Sequence, residues 1–229
     1  MLKNRLMTIY DLLYNAFGPR HWWPADTPFE VIIGAILTQN VSWKNVEKAI
    51  AALKEIDAMT PEAMAALPTD MLAEKIRPAG YFNMKAKKIK AFMEYLYSRY
   101  DGSLDRMFQM PLPVLRKELL SVYGIGQETA DSIILYAGNM PIFVVDAYTK
   151  RIFSRLGLVD ENYSYEAVQR LFMDNLPRDT RLYNEYHALI VAAGNMYCGN
   201  RKKKCGLCPL GLICTAADSL EKQEGRDKA

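Results

Sequence analysis

What the chain lacks bounds it first. No stretch approaches the roughly 20 consecutive apolar residues of a membrane-spanning helix, so no membrane contact is expected. The opening run MLKNRLMTIYDLLYNAFG is partly apolar, but Asp11 interrupts it and it carries no small-residue cleavage site. It does not read as a secretory leader. Internal repeats and low-complexity linkers are missing. Neither sign of charge dominates, since the formal net charge is +3, which permits a nucleic-acid partner without arguing for one. Cysteine is scarce, with four residues in 229, all near the C-terminal end. The expected location is the cytoplasm, at the nucleoid in a prokaryote. Thiols stay reduced there, so clustered cysteines point to a metal rather than to disulfides. Extended patterns are nearly absent too. Only PIFVVD (141–146) looks like a strand, and it is too short to found a sheet.

What is present is helical period. Leu6, Ile9, Leu13 and Phe17 recur on one face of a first amphipathic helix. The same 3.6-residue spacing runs through 29–38, 44–54, 61–67, 70–76, 84–99, 112–122, 128–138, 147–156, 164–174 and 181–195. Short connections rich in Pro, Gly and Asp separate these segments, among them WPADTP, LPTD, RPAG, YDGS and NLPRD. The expectation is an all-α protein of about ten helices. The polar tail after Cys214 is expected to fray. Two clusters of cations are visible, Lys85, Lys87, Lys88 and Lys90, and the run Arg201, Lys202, Lys203 and Lys204.

Cys198, Cys205, Cys208 and Cys214 follow the pattern C-x6-C-x2-C-x5-C. Four thiolates can hold either a 4Fe-4S cluster or a tetrahedral zinc, and spacing alone does not choose. Between the first two runs GNRKKK. Closing that segment on a metal would fix four mutually repelling cations in a loop, which implies an anionic partner such as phosphate.

Residues 124–130 read GIGQETA, between two segments of helical period. Gly124 and Gly126 permit a sharp turn and remove side chains from its outer surface. The freed N–H groups, with the start of the next helix, form a place for a phosphate. Asp146 closes the extended run and opens the helix AYTKRIFSRLG. It suits an N-cap, and a cap also fixes a carboxylate in space.

Hairpin, aspartate and cysteine pattern occur in the order and spacing that resembles the endonuclease III superfamily of helix-hairpin-helix DNA glycosylases, over nearly the whole chain. The resemblance implies two helical domains flanking a DNA-binding cleft, here about 22–138 for one, and 1–21 with 139–229 for the other. It implies a structural 4Fe-4S cluster on the four cysteines, ordering the basic loop. It implies that Gly124, Ile125 and Gly126 grip the backbone of double-stranded DNA containing a damaged base, with Arg201, Lys202, Lys203 and Lys204. It makes Asp146 the catalytic aspartate. Thr38, Gln39 and Asn40, in AILTQNVSW, match the segment that wedges into the base stack when a base is flipped out. The protein is expected to act as a monomer.

Lyase members carry a lysine in G-x-G-x-K-T-A, where this chain has Glu128. A carboxylate cannot form a Schiff base, so the lysine route is closed. The stretches HWWPADTPFEVIIGAILTQN and IRPAGYFNMKAKKIKAF, with GIGQETAD and VVDAYTKRIF, resemble the 3-methyladenine glycosylase branch. The resemblance is to that branch in the pocket and to endonuclease III in the tail. The expected activity is monofunctional release of an alkylated purine, with Asp146 stabilising the oxocarbenium-like sugar and Trp22 and Trp23 as candidate aromatic faces for a cationic base. Tyr81 and Phe82 are secondary candidates. Glu128 either sits at the pocket floor or serves the helix dipole. The alternatives are a bifunctional glycosylase/AP lyase for damaged pyrimidines using another amine such as Lys150, and a non-catalytic DNA-binding iron–sulfur protein.

Overall fold

The structure is a computed structural model and describes residues 1–199 and 203–216. Among these residues the chain forms twelve α-helices and no strand. In chain order they are α1 (Leu2–Phe17), α2 (Pro28–Leu37), α3 (Trp43–Lys54), α4 (Pro61–Ala66), α5 (Thr69–Lys75), α6 (Phe82–Tyr100), α7 (Leu104–Phe108), α8 (Leu112–Ser121), α9 (Gln127–Ser132), α10 (Ala147–Arg155), α11 (Tyr165–Met173) and α12 (Thr180–Met196). The chain divides into two compact units. One is continuous, Trp23–Met140; the other joins Met1–Trp22 to Pro141–Ala229.

The continuous unit is built around α2. Every residue from Phe29 to Leu37 is buried, as expected for a helix that is hydrophobic all round. Its start is marked by Pro28 at the first turn and by Thr27, whose Oγ1 accepts from the Glu30 N–H at 3.1 Å. The Glu30 carboxylate reaches back to the Asp26 N–H at 3.1 Å and pairs with Lys54 at 2.8 Å. The second all-buried segment is α9 with its continuation. Thr129 through Leu135 are buried without interruption. The α-helix stops at Ser132, and Ile133–Ala137 form a π turn, in which the Gly138 N–H bonds to the Ile133 carbonyl at 3.0 Å. The expected single helix over 128–138 is therefore two kinds of helix. Periodicity does not reveal such a change where all sides are apolar. Periodicity also missed α7, which has one buried residue, Met107, and so no stripe to read.

The discontinuous unit has an aromatic core. Phe143 stacks on Phe172 at 3.8 Å between centroids, and Tyr183 and Tyr186 meet Phe143 edge-on at 5.6 and 5.9 Å. Phe153 closes on Phe172 at 4.7 Å. Tyr186 Oη donates to the Leu6 carbonyl at 2.7 Å, and Arg5 Nη2 donates to the Leu156 carbonyl at 2.7 Å, which tie α1 to this core.

Phe143 lies on the extended run 141–146. This run has no sheet to join, yet Ile142–Val145 are buried. Buried backbone groups must find partners. Side chains from α11 supply them: Gln169 Nε2 donates to the Phe143 carbonyl at 2.7 Å, and the Val145 N–H donates to Tyr165 Oη at 3.3 Å. The run is thus held by α11, and it ends at Asp146, where α10 starts.

Candidate active site

Asp146 is the N-cap of α10, with extended backbone (φ −107°, ψ −177°). Its Oδ1 accepts from the Thr149 N–H at 2.7 Å and from the Thr149 hydroxyl at 2.8 Å. Its Oδ2 lies 3.8 Å from Nε2 of His187 on α12. The Asp146 side chain is 11% exposed, so it is confined but still reaches solvent. Burial pushes the His187 pKa down, against the upward pull of Asp146, which leaves a neutral ring beside the carboxylate at neutral pH. Lys150, four residues on, donates from Nζ to the Tyr163 carbonyl at 3.2 Å.

The hairpin is α8, the turn 122–126 and α9. Gly124 has φ +79°, a conformation that glycine tolerates. A Cβ there would stand 2.3 Å from Cγ of Lys88, so the aliphatic stem of Lys88 covers that face. The expectation that both glycines clear the outer surface holds only for Gly126, which has nothing within 4 Å of a Cβ. Ile125 between them is 4% exposed and anchors the turn inward. Gln39 binds the same turn: its Nε2 donates to the Gly124 carbonyl at 3.1 Å and to Thr129 Oγ1 at 2.9 Å, and Lys88 Nζ donates to its Oε1. Thr38 turns its hydroxyl onto the Gly34 and Ala35 carbonyls at 3.1 and 3.0 Å. Of the three residues 38–40, only Asn40 is exposed, in the left-handed region at φ +55°. Glu128 stands exposed in the first turn of α9.

A bidentate clasp joins the two hairpin helices. Arg116 Nε and Nη2 on α8 donate to Oδ1 and Oδ2 of Asp131 on α9, at 2.7 and 3.1 Å, and the Asp131 side chain is fully buried. Nothing in the sequence singled out this pair.

The lysine cluster of α6 is mostly spent inside the chain. Lys85 is 2% exposed and donates to the Leu37 and Ala79 carbonyls at 2.8 and 2.7 Å. Burial, helped by neighbouring Lys88, pushes its pKa down to about 8. Lys90 donates to the Met64 and Ala65 carbonyls at 2.8 and 2.9 Å, at the end of α4. Lys87 alone of the four is exposed.

Trp23 packs edge-on against Trp43 at 5.3 Å and against Tyr136, on the π turn, also at 5.3 Å. Its ring lies 3.2 Å from where a Gly34 Cβ would be, so the absence of a side chain at Gly34 seats it. All three rings are half-buried and form an aromatic corner. Trp43 and Tyr136 were not anticipated; they come from distant segments whose meeting leaves no local signal. Trp22 is half-buried as well. Tyr81 is 76% exposed with φ +47°, and the Arg77 guanidinium sits 5.2 Å from the Phe82 ring.

The four cysteines line one cavity with Arg155, Tyr197 and Lys203. Arg155 Nη1 donates to Cys198 Sγ at 3.0 Å, and Arg151 Nε donates to the Cys198 carbonyl at 2.7 Å. Cys214 Sγ returns a bond to the Arg155 carbonyl at 3.4 Å. Cys198 and Cys214 are thereby fastened to α10. Lys203 and Lys204 are exposed, while Arg201 and Lys202 lie outside the described residues.

Breaking the clasp strands a buried carboxylate, so Arg116→Met is expected to cost about 3–5 kcal/mol of stability in urea unfolding. Glu128→Gln, exposed on the neighbouring turn, is expected to stay within about 0.5 kcal/mol. Equal effects would contradict this account of the hairpin.

Comparison with known proteins agrees with this arrangement. A model of the HhH-GPD superfamily of base excision DNA repair proteins matches residues 33–178. A Methanocaldococcus jannaschii protein named among the DNA repair glycosylases is 47% identical over 208 residues, covering 90% of this chain and 94% of the relative. Endonuclease III trapped as a covalent intermediate with DNA superposes with a TM-score of 0.82 at 24% identity, covering 96% of this chain and 98% of that one. An H. pylori 3-methyladenine DNA glycosylase bound to 1,N6-ethenoadenine superposes with a TM-score of 0.70 at 28% identity, covering 84% and 95%. The chain belongs to the HhH-GPD superfamily of base excision DNA repair proteins, as an enzyme of the endonuclease III superfamily of helix-hairpin-helix DNA glycosylases.

Proposed function

We propose that this glycosylase is monofunctional: it hydrolyses the N-glycosidic bond of an alkylated purine of the 3-methyladenine type, flipped out of duplex DNA, and leaves an intact abasic site. The observation that carries the reading is that the hairpin position where lyase relatives place their amine holds a carboxylate, Glu128, which leaves the fixed carboxylate of Asp146 as the group to act. Lys150, the alternative amine, is directed to the Tyr163 carbonyl.

The chemistry asks little of such a site. A purine alkylated on the ring carries positive charge, so the glycosidic electron pair leaves with the base and neutralises it without protonation. Positive charge then develops on the sugar, where the Asp146 carboxylate stabilises it. Water adds to the sugar carbon, and its proton passes to the Asp146 carboxylate and on to solvent. Selection is the harder task. The corner of Trp23, Trp43 and Tyr136, with Trp22 preceding it, offers electron-rich faces that favour a cationic ring by about 0.5–2 kcal/mol. The H. pylori relative is named a 3-methyladenine DNA glycosylase and holds 1,N6-ethenoadenine, also a modified purine. Glu128 serves the helix start through its charge.

DNA is the proposed partner. The hairpin at Gly124–Gly126, the exposed Asn40, and the basic loop from Arg201 to Lys204 would meet its backbone and stack, with the protein acting as a monomer. The proposed cofactor is a 4Fe-4S cluster on Cys198, Cys205, Cys208 and Cys214. Four thiolates suit such a cluster, and all four thiols line one cavity, although among the described residues no three His, Cys, Asp or Glu stand close enough to share one ion. When bound, the cluster staples the loop that carries the cations. No described helix is long and apolar enough to cross a membrane.

A panel of duplexes carrying single lesions, scored separately for base release and strand breakage, tests the activity. Alkylated purines are expected to be released without breakage, and Asp146→Asn to lose release by roughly 100-fold or more while binding DNA as before. Faster release of oxidised pyrimidines with coupled breakage would reverse the assignment. The cofactor is tested by isolating the protein without oxygen: about four irons per chain and a brown colour are expected. Stoichiometric zinc in colourless protein would contradict it.

A further inference from the structure

The two oxygens of Asp146 are not equivalent. Both donors of Thr149 converge on Oδ1, the N–H at 2.7 Å and the hydroxyl at 2.8 Å. Oδ2 faces His187 Nε2 at 3.8 Å, beyond hydrogen-bond range. Ordinary capping accounts for the N–H alone, as where Asp179 caps α12 by accepting from the Leu182 N–H at 2.9 Å. It does not require the hydroxyl. Thr149 is also fully buried, so its side chain spends its donor on the carboxylate in a site that water does not reach freely.

A carboxylate held by one N–H can turn about its terminal bond and exchange its oxygens. A second donor on the same oxygen from the same residue makes that exchange costly. It fixes the plane of the group and leaves Oδ2 as the oxygen with lone pairs to offer. We propose that Thr149 is a positioning residue of the glycosylase: its hydroxyl locks Oδ1, so that Oδ2 of Asp146 is the working oxygen. This rests on the reading of Asp146 as the catalytic carboxylate.

The experiment measures single-turnover purine release from duplex DNA alkylated with dimethyl sulfate, with enzyme in excess. Affinity for a duplex carrying a tetrahydrofuran abasic analogue is measured alongside, and thermal melts give the folded fraction used to normalise the rates. Thr149→Val and Thr149→Ala both remove the hydroxyl while differing in packing. Each is expected to slow release roughly 10- to 100-fold with unchanged affinity, the cost of one hydrogen bond to a charged group. Thr149→Ser, which keeps the hydroxyl, is expected to stay within about threefold of wild type. Thr60→Ala removes an N-cap from α4 and is expected to lower stability without slowing release. Wild-type rates in both Val and Ala variants, a Ser variant as slow as Val, or slowing matched by lost affinity would each overturn the role of Thr149. Asp146→Asn separates the two claims. Retained release there removes the catalytic reading itself; abolished release there, with fast Val and Ala variants, removes only the role of Thr149.

Discussion

A buried extended segment with no sheet around it must have its backbone bonds made by side chains, and that constraint organises the discontinuous unit. Gln169 takes the Phe143 carbonyl, and Tyr165 takes the Val145 N–H. Both come from α11, whose Phe172 also stacks on Phe143. One helix therefore supplies hydrogen bonds and much of the packing that hold residues 141–146 in place. The segment ends where α10 begins, so the position of Asp146 is set by how α11 grips a run that joins no sheet. A sheet would satisfy the same groups, but it would cover both edges and bury the aspartate's surroundings.

Charge inside the continuous unit is used for construction rather than for display. Lys85 and Lys90 cap carbonyls, and Lys88 lies along Gly124 and bonds to Gln39. Arg116 neutralises Asp131 across the two hairpin helices. The proposed presentation of backbone N–H groups to a phosphate calls for a rigid turn, since flexibility would be lost at binding and would weaken it. Gln39, Lys88 and the Arg116–Asp131 clasp hold that turn from three directions, before any partner arrives.

Most of the helices, the sheetless buried run, the hairpin glycines, the capping aspartate and the cysteine spacing were legible in the sequence, because each leaves a local mark: a period, a turn residue, a fixed interval. What was not legible depends on chain segments that meet only in the fold. The aromatic corner joins Trp23, Trp43 and Tyr136 over Gly34, and the clasp joins residues 15 positions apart in two helices. The π turn hides in a segment buried on all sides, where no periodic face exists to shift. The lysine run reads as a surface patch because sequence shows charge but not carbonyls. The hydroxyl of Thr149 reads as one more helix residue until its partner is seen.

The central claim is that bond cleavage here proceeds with a fixed carboxylate and no amine nucleophile. Borohydride treatment during turnover on alkylated duplex DNA tests it most directly, since a Schiff base would be reduced to a stable protein–DNA adduct. The account predicts complete base release with no trapped adduct. A trapped adduct forming at the rate of base release would contradict it.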